Sequence, residues 1–165
     1  MPSPQFTIQP VCHGNICRSP MAAAVLRHLL DDAGLGPRVL VASSGVSSEE
    51  RGNPIDRRAV RALSRRGHPV DRTHRAHRIT EEEIAVTDLI LPATWDQRVT
   101  LLRRGAGEGR VKLLRQFDPA LADRAASARL DLADPWWGGE ADFEAVLDQI
   151  EAAAPAVVEY VRDRI

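Results

Sequence analysis

The chain has 165 residues, with 22 Lys or Arg against 23 Asp or Glu and a net charge near −1. A chain of that length buries a core without disulfide or metal staples, and the even charge balance supplies no general attraction to nucleic acid or to an anionic membrane. No stretch approaches the roughly 20 apolar residues needed to span a bilayer, and the opening MPSPQFTIQP lacks a basic region followed by an apolar run, so it does not read as a leader.

Phe6 to Val11 reads as a short strand feeding a loop from Cys12 to Arg18. Ser19 is expected to cap and Pro20 to open a helix, each at a position it favours. Ala22, Val25, Leu26, Leu29 and Leu30 then recur with helical period until Gly34 closes the segment. Arg38 to Ala42 is a second strand. Asn53-Pro54 starts a second helix, whose apolar stripe runs through Ala59, Val60 and Leu63 to a stop at Gly67. Its run of Arg57, Arg58, Arg61, Arg65 and Arg66 reads as a solvated face, with docking of an acidic partner as the alternative.

Thr80 to Glu83 fits a capping box for a third helix, and Asp88 to Pro92 is the near-continuous apolar run of a buried parallel strand. Asp96 to Arg104 follows as a helix and Arg110 to Leu114 as a strand. Phe143, Val146, Leu147, Ile150, Ala154, Val157, Val158 and Val161 line one face of a last helix, with a kink expected at Pro155. Strands alternating with helices predict one α/β domain, residues 1–165, with a parallel sheet flanked by helices on both faces.

The informative segment is CHGNICRSP, set between strand and helix. Ligands of open α/β sheets gather where strands end and helices begin, and the unpartnered amides there bind phosphate. Gly14 permits a tight turn, and Asn15 is among the few other residue types tolerant of positive φ. Arg18 offers a planar fork to two phosphate oxygens. A thiol in such a field drops from about 8.5 toward roughly 3.5–7.5, so Cys12 is the candidate nucleophile, with Ser19 placed to hydrogen-bond its sulfur. His13, Ile16 and Cys17 complete the loop. The two cysteines are too few for a disulfide scaffold or a structural zinc site, and a reducing cytoplasm fits them.

CHGNICRSP closely resembles the signature loop of the low-molecular-weight protein tyrosine phosphatases, with its Cys-x5-Arg-Ser pattern. The resemblance runs along nearly the whole chain, through Ser43-Ser44-Gly45, His74-Arg75-Ala76 and DPWWGG at Asp134 to Gly139. It implies a four-stranded parallel sheet and a two-step mechanism without metal or cofactor, acting on a phosphorylated protein or a small aryl phosphate, in a monomer or weak dimer. By register with the family it implies Asp134 as general acid, Ser43 and His74 as supports of the loop, and Trp136 and Trp137 as pocket walls in place of two Tyr. Adjacent aromatics and Pro135 would hold the Asp134 carboxyl in a poorly hydrated mouth. Under peroxide, Cys17 is a candidate disulfide partner for Cys12, and small apolar filler is its other reading.

The chain also departs from the pattern. Glu49 stands where the family has an aromatic wall, with Arg51 nearby to offset its charge. Ala93-Thr94 replaces a Met-Asp pair, Ala23 replaces a Glu, and Pro10 removes a ladder donor from the first strand. The catalytic set is intact while the recognition set has drifted. Three rivals follow. Thiol-dependent arsenate reductase needs further cysteines after Cys17 that this chain does not have. Protein-arginine phosphatase has the same fold but typically carries Thr where this chain has Ile16. A non-catalytic phosphate-binding module would need neither the nucleophile nor the acid.

Overall fold

The computed structural model describes residues 3–165; the first two positions of the N-terminal stretch lie outside the described residues. The sheet is four-stranded and parallel, centred on β1 (Phe6–Cys12). On one side β1 pairs with β2 (Val39–Val41) at Phe6 to Ile8 and with β3 (Ser44–Gly45) at Val11 and Cys12. On the other side it pairs with β4 (Leu89–Pro92) at Ile8 to Val11. The register from Phe6↔Val39 to Cys12↔Gly45 never shifts, so β2 and β3 form one line, interrupted at Ala42 and Ser43.

That interruption accounts for a proline in a central strand. The carbonyls of Ile8 and Cys12 accept from the amides of Ala42 and Val46, so alternate residues of β1, Pro10 among them, turn their backbone groups toward the β2–β3 line. The donor that Pro10 lacks falls opposite the break. The strand expected at Arg110 to Leu114 is a single bridge, Val111 to Ile90, with the Lys112 amide donating to the Ile90 carbonyl at 3.1 Å. Arg110 instead closes a short 3₁₀ turn that directs its guanidinium to the Ile84 and Thr87 carbonyls, and this ends the ladder.

Side chains along the strands alternate between two cores. Ile8, Cys12, Leu89 and Leu91 face a cluster built with α1 (Arg18–Asp32), α2 (Arg57–Arg65) and α5 (Glu140–Arg162). Val11 and Ile90 face the smaller cluster with Ile84 of α3 (Glu81–Val86), Leu101 of α4 (Trp95–Arg103) and Val111. Gln9, on the second face, is fully buried and satisfied, donating to Ser44 Oγ and accepting from Thr87 Oγ1. Ala23 is wholly buried in α1, between sheet and α5, where a charged side chain would have no partner.

Three helix starts differ from expectation. α1 opens at Arg18 with Cys17 at its N-cap, so Ser19 lies inside the first turn and its hydroxyl is free for the loop. α2 opens at Arg57, capped by the Asp56 carboxylate, rather than at Asn53-Pro54. α4 opens one residue early, at Trp95, because Thr94 and Gln97 form a capping box that gives the Ala93-Thr94 departure its local reason. The Thr80–Glu83 box forms as expected. α5 runs on past Pro155, which lies on its exposed side, to Arg162.

The arginine face that begins on α2 is exposed at Arg57, Arg61 and Arg65, as expected of a solvated face, but most of its members also meet carboxylates of α5. Arg61 bonds Glu140, Arg65 bonds Glu144, and Arg66 reaches Glu144, Asp148 and Glu151, so the helix is clasped to α5. Bonds from Arg65 and Arg66 hold the Glu144 carboxyl below its usual range. Such stabilisation is complete above the unfolded carboxylate value of about 4.3 and is lost as pH falls through the lower folded one. Replacing Arg66→Met is expected to lower stability by about 1–2 kcal/mol, more than an isolated surface pair because three carboxylates lose one cation. Urea midpoints should show that gap narrowing in high salt and below pH 4; a gap unchanged by both would mean the ion pairs carry none of it.

Candidate active site

The loop between β1 and α1 closes on Asn15, the one non-glycine residue with positive φ (62°) among the described residues. Its side chain is saturated. Nδ2 donates to Ser19 Oγ at 2.8 Å and to Ser43 Oγ at 3.1 Å, and Oδ1 accepts from the His77 amide at 3.1 Å. His74 Nε2 donates to the Asn15 carbonyl at 2.8 Å. Burial pulls the His74 imidazole below its ordinary value, which keeps the ring neutral with one nitrogen donating. Ser43 and His74 thus meet the loop as expected, and His77 joins them unforeseen.

Gly14 does not occupy the left-handed region that its place in a tight turn suggested; Asn15 takes that conformation alone, and Gly14 is small because Glu50 Cγ lies against it. The close approach is at Gly45, where any Cβ would overlap the His13 carbonyl oxygen. The Gly45 amide donates to His77 and its carbonyl accepts from Ile79, so the backbone cannot yield.

The turned loop presents Cys12, at the end of the central strand. Its sulfur lies 3.3 Å from the Asn15 amide, which donates to it, and 3.1 Å from the Ser19 hydroxyl. The amides of Gly14, Ile16 and Cys17 meet no acceptor among the described residues, while Asp56 N anchors the Ile16 carbonyl from outside. Cys17 is buried in the same wall, and burial, with Asp56 and Cys12 adding negative charge, raises its thiol far above the ordinary value. No disulfide joins the two cysteines.

Arg18 is 5% exposed and fixed at one nitrogen: Nη1 donates to the Leu132 carbonyl at 2.9 Å, and Nη2 faces Asp134 Oδ2 at 3.4 Å. Leu132 is buried and its own amide donates to Ala93, at the end of β4. The segment carrying Asp134 is therefore tied to the sheet and to Arg18 by one residue. Its far side is held by Arg58, which donates to the Trp136 and Gly138 carbonyls, bonds Asp56 and stacks on Phe143. Leu132 and Arg58 carry no motif that would have singled them out.

Cys12, His13, Gly14, Ile16, Cys17, Arg18, Glu49, Glu50, Asp134, Trp136 and Trp137 line one cavity of about 250 Å³. The mouth is wetter than expected: the Asp134 side chain is 39% exposed and Trp137 is 82% exposed, the two indoles meeting edge to face. Oδ1 of Asp134 accepts from the Trp136 amide, so Pro135 and the aromatics orient the carboxylate without drying it. Glu49 meets the His13 ring, 3.3 Å away, and not Arg51.

Fold and site together define a parallel α/β protein with a thiol set in an anion cradle at the carboxyl ends of its strands. A family profile described as low molecular weight phosphotyrosine protein phosphatase matches residues 7–164. Low molecular weight protein-tyrosine phosphatase A of Mycobacterium tuberculosis is 38% identical over 155 residues, covering 94% of this chain and 91% of that one. Among solved structures, a protein tyrosine phosphatase from Entamoeba histolytica superposes with a TM-score of 0.84 at 25% identity, covering 96% and 97% of the two chains. The YwlE arginine phosphatase from Geobacillus stearothermophilus gives 0.78 at 27% identity, covering 96% and 94%. The chain belongs to the low molecular weight phosphotyrosine protein phosphatase family.

Asn15→Gly should keep the backbone conformation but lose the side-chain bonds, whereas Asn15→Ala also meets the left-handed penalty of about 1 kcal/mol. Denaturant unfolding is expected to rank wild type above Gly and Gly above Ala; Ala equal to Gly would show that the strain is relaxed. The unfolded chain binds a proton at His74 near pH 6.5, before the folded one does, so stability is intact above that pH and falls below it. His68, also lowered by burial, acts in the same sense. His74→Gln should flatten part of the decline in unfolding midpoint between about pH 7.5 and 5.5, and an unchanged slope would exclude His74 as its source.

Proposed function

We propose that this chain is a protein phosphatase that hydrolyses phosphotyrosine through a cysteinyl-phosphate intermediate. The observation that carries the reading is the floor of the cavity. There a sulfur held by the Asn15 amide and the Ser19 hydroxyl shares one wall with the Arg18 guanidinium and the Asp134 carboxyl.

The reaction starts with Cys12 as thiolate and Asp134 protonated. The sulfur attacks phosphorus in line, the S–P bond forms, and the bond to the leaving oxygen breaks as Asp134 gives that oxygen its proton. Arg18 turns Nη2 from Asp134 to a phosphate oxygen while Nη1 stays on Leu132, and the amides of Gly14, Ile16 and Cys17 take the remaining equatorial charge. In the second step Asp134 removes a proton from water, the new O–P bond forms, and the S–P bond breaks to return the thiolate and release phosphate. His13, Glu49, Trp136 and Trp137 border the substrate; His74, Ser43 and Asn15 hold the loop. Two unpaired cysteines fit a reducing compartment.

Glu49 and Glu50 at the rim favour a second substrate, phosphoarginine, whose guanidinium a carboxylate wall would suit. The structural neighbour named as an arginine phosphatase supports the same comparison. A panel of phosphotyrosyl, phosphoarginyl and phosphoseryl peptides decides between them.

Cys12→Ser is expected to abolish turnover of an aryl phosphate. Asp134→Ala should slow poor leaving groups by roughly 10²–10⁴ and good ones much less. Wild type that binds phosphopeptide yet turns over no phosphate ester would show a binding module, and an Asp134→Ala variant unchanged on both kinds of substrate would show a different acid.

A further inference from the structure

A second cavity, of about 530 Å³, shares no residue with the first. Pro54, Ile55, Val60 and Val70 give it apolar lining, and Arg57, Arg61, Arg72 and Arg75 surround that lining. The one carboxylate there, Asp71, is engaged by the amide and hydroxyl of Thr73. Arg61 is held by Glu140, whereas Arg57, Arg72 and Arg75 meet no carboxylate among the described residues.

Arg57 is the unexpected member. It occupies the first turn of α2, where the helix dipole disfavours a cation. Arg58 in the same turn is explained by its bonds to Asp56 and the Trp136–Gly138 segment, but Arg57 has no such compensation. Helix stability therefore does not account for it.

Both walls of this groove are attached to the nucleophile loop. On one, Asp56, next to Ile55 and Arg57, donates its amide to the Ile16 carbonyl. On the other, His74, next to Arg75, donates to the Asn15 carbonyl. The groove is thereby fixed to the same loop that carries Cys12.

We propose that the groove is a docking site for an acidic segment of the substrate protein, carrying an apolar side chain for the Ile55–Val60–Val70 floor and carboxylates for Arg57, Arg72 and Arg75. The proposal rests on the phosphoprotein reading above, and it deepens that reading by stating what the substrate looks like away from its phosphate. Guanidiniums around an apolar floor complement such a segment in charge and in surface, whereas a simple anion would leave the floor unused.

Two measurements on the full chain test it. In the first, kcat/KM is compared for two phosphotyrosyl peptides that differ only in a flank, one bearing Asp, Glu and Leu and the other neutral, beside a small aryl phosphate. The acidic flank should raise kcat/KM about tenfold at low salt, chiefly through KM, since several exposed ion pairs of modest strength act together and are screened by salt. The Arg57→Glu, Arg72→Glu double variant should lose that advantage and hydrolyse the aryl phosphate as wild type does. In the second, a labelled acidic peptide without phosphate is titrated by fluorescence anisotropy and should bind the double variant about tenfold more weakly.

Equal turnover of the two phosphopeptides, or a preference retained by the double variant, overturns the groove. So does binding of an acidic peptide without its apolar residue as tightly as with it. Binding of the acidic peptide with no turnover of any phosphopeptide would sink the protein phosphatase reading and leave the groove standing.

Discussion

The site depends on one backbone conformation. A loop that must aim several amides and a sulfur at the same point has to reverse direction within a few residues, and the reversal here is made by Asn15 at φ 62°. Glycine would reach that angle without strain but could not hold it. The asparagine side chain does hold it, by tying α1 through Ser19, the β2–β3 line through Ser43 and the next segment through the His77 amide. Each partner comes from a different part of the chain, so the cradle forms only when the sheet, α1 and the 74–77 segment are all in place. The cost of the strained residue is thereby distributed over the fold.

A second constraint couples the acid to the arginine. Leu132 donates to Ala93 at the end of β4 and accepts from Arg18, and Asp134 follows two residues later. Arg18 is buried, with Nη1 bonded to a backbone carbonyl and Nη2 facing Asp134. In the proposed reaction, a phosphate that takes Nη2 also releases the carboxyl. The exposed carboxylate suits the proposed exchange better than a desiccated one would, since that mechanism has Asp134 leave a cation and meet water in successive steps.

Much of this was legible in the sequence, for a physical reason. The loop is local: Cys12, Asn15, Arg18 and Ser19 are brought together by one turn, so their spacing alone implies the chemistry, and the strands and helices around it follow from short-range periodicity. What was not legible is long-range. The α2 arginines look like a solvated face until α5, some eighty residues later, sets Glu140, Glu144, Asp148 and Glu151 opposite them. Arg58 and Leu132 act through backbone carbonyls, which leave no pattern in the side-chain alphabet. The expected strand at Arg110 to Leu114 shrinks to one bridge because 3₁₀ turns at Glu108–Arg110 and Leu114–Phe117 close in on it from both ends.

The charge distribution outside the cradle then gains a meaning that the near-zero total conceals. At the rim of the first cavity Glu49 and Glu50 set two carboxylates beside the proposed phosphate site, with the His13 ring 3.3 Å from Glu49. In the second groove the imbalance is reversed: Arg57, Arg72 and Arg75 form no ion pair among the described residues, and the one carboxylate there, Asp71, is bonded to Thr73. Opposed fields at two sites favour an extended ligand of definite polarity that meets both over a small one of either sign, because each end is repelled if the ligand is reversed. A small aryl phosphate senses only the first field, and for it the rim carboxylates are a cost. On the docking proposal, a protein substrate that spans both surfaces offsets that cost in the groove, and recognition moves partly off the phosphorylated side chain and onto the chain that carries it.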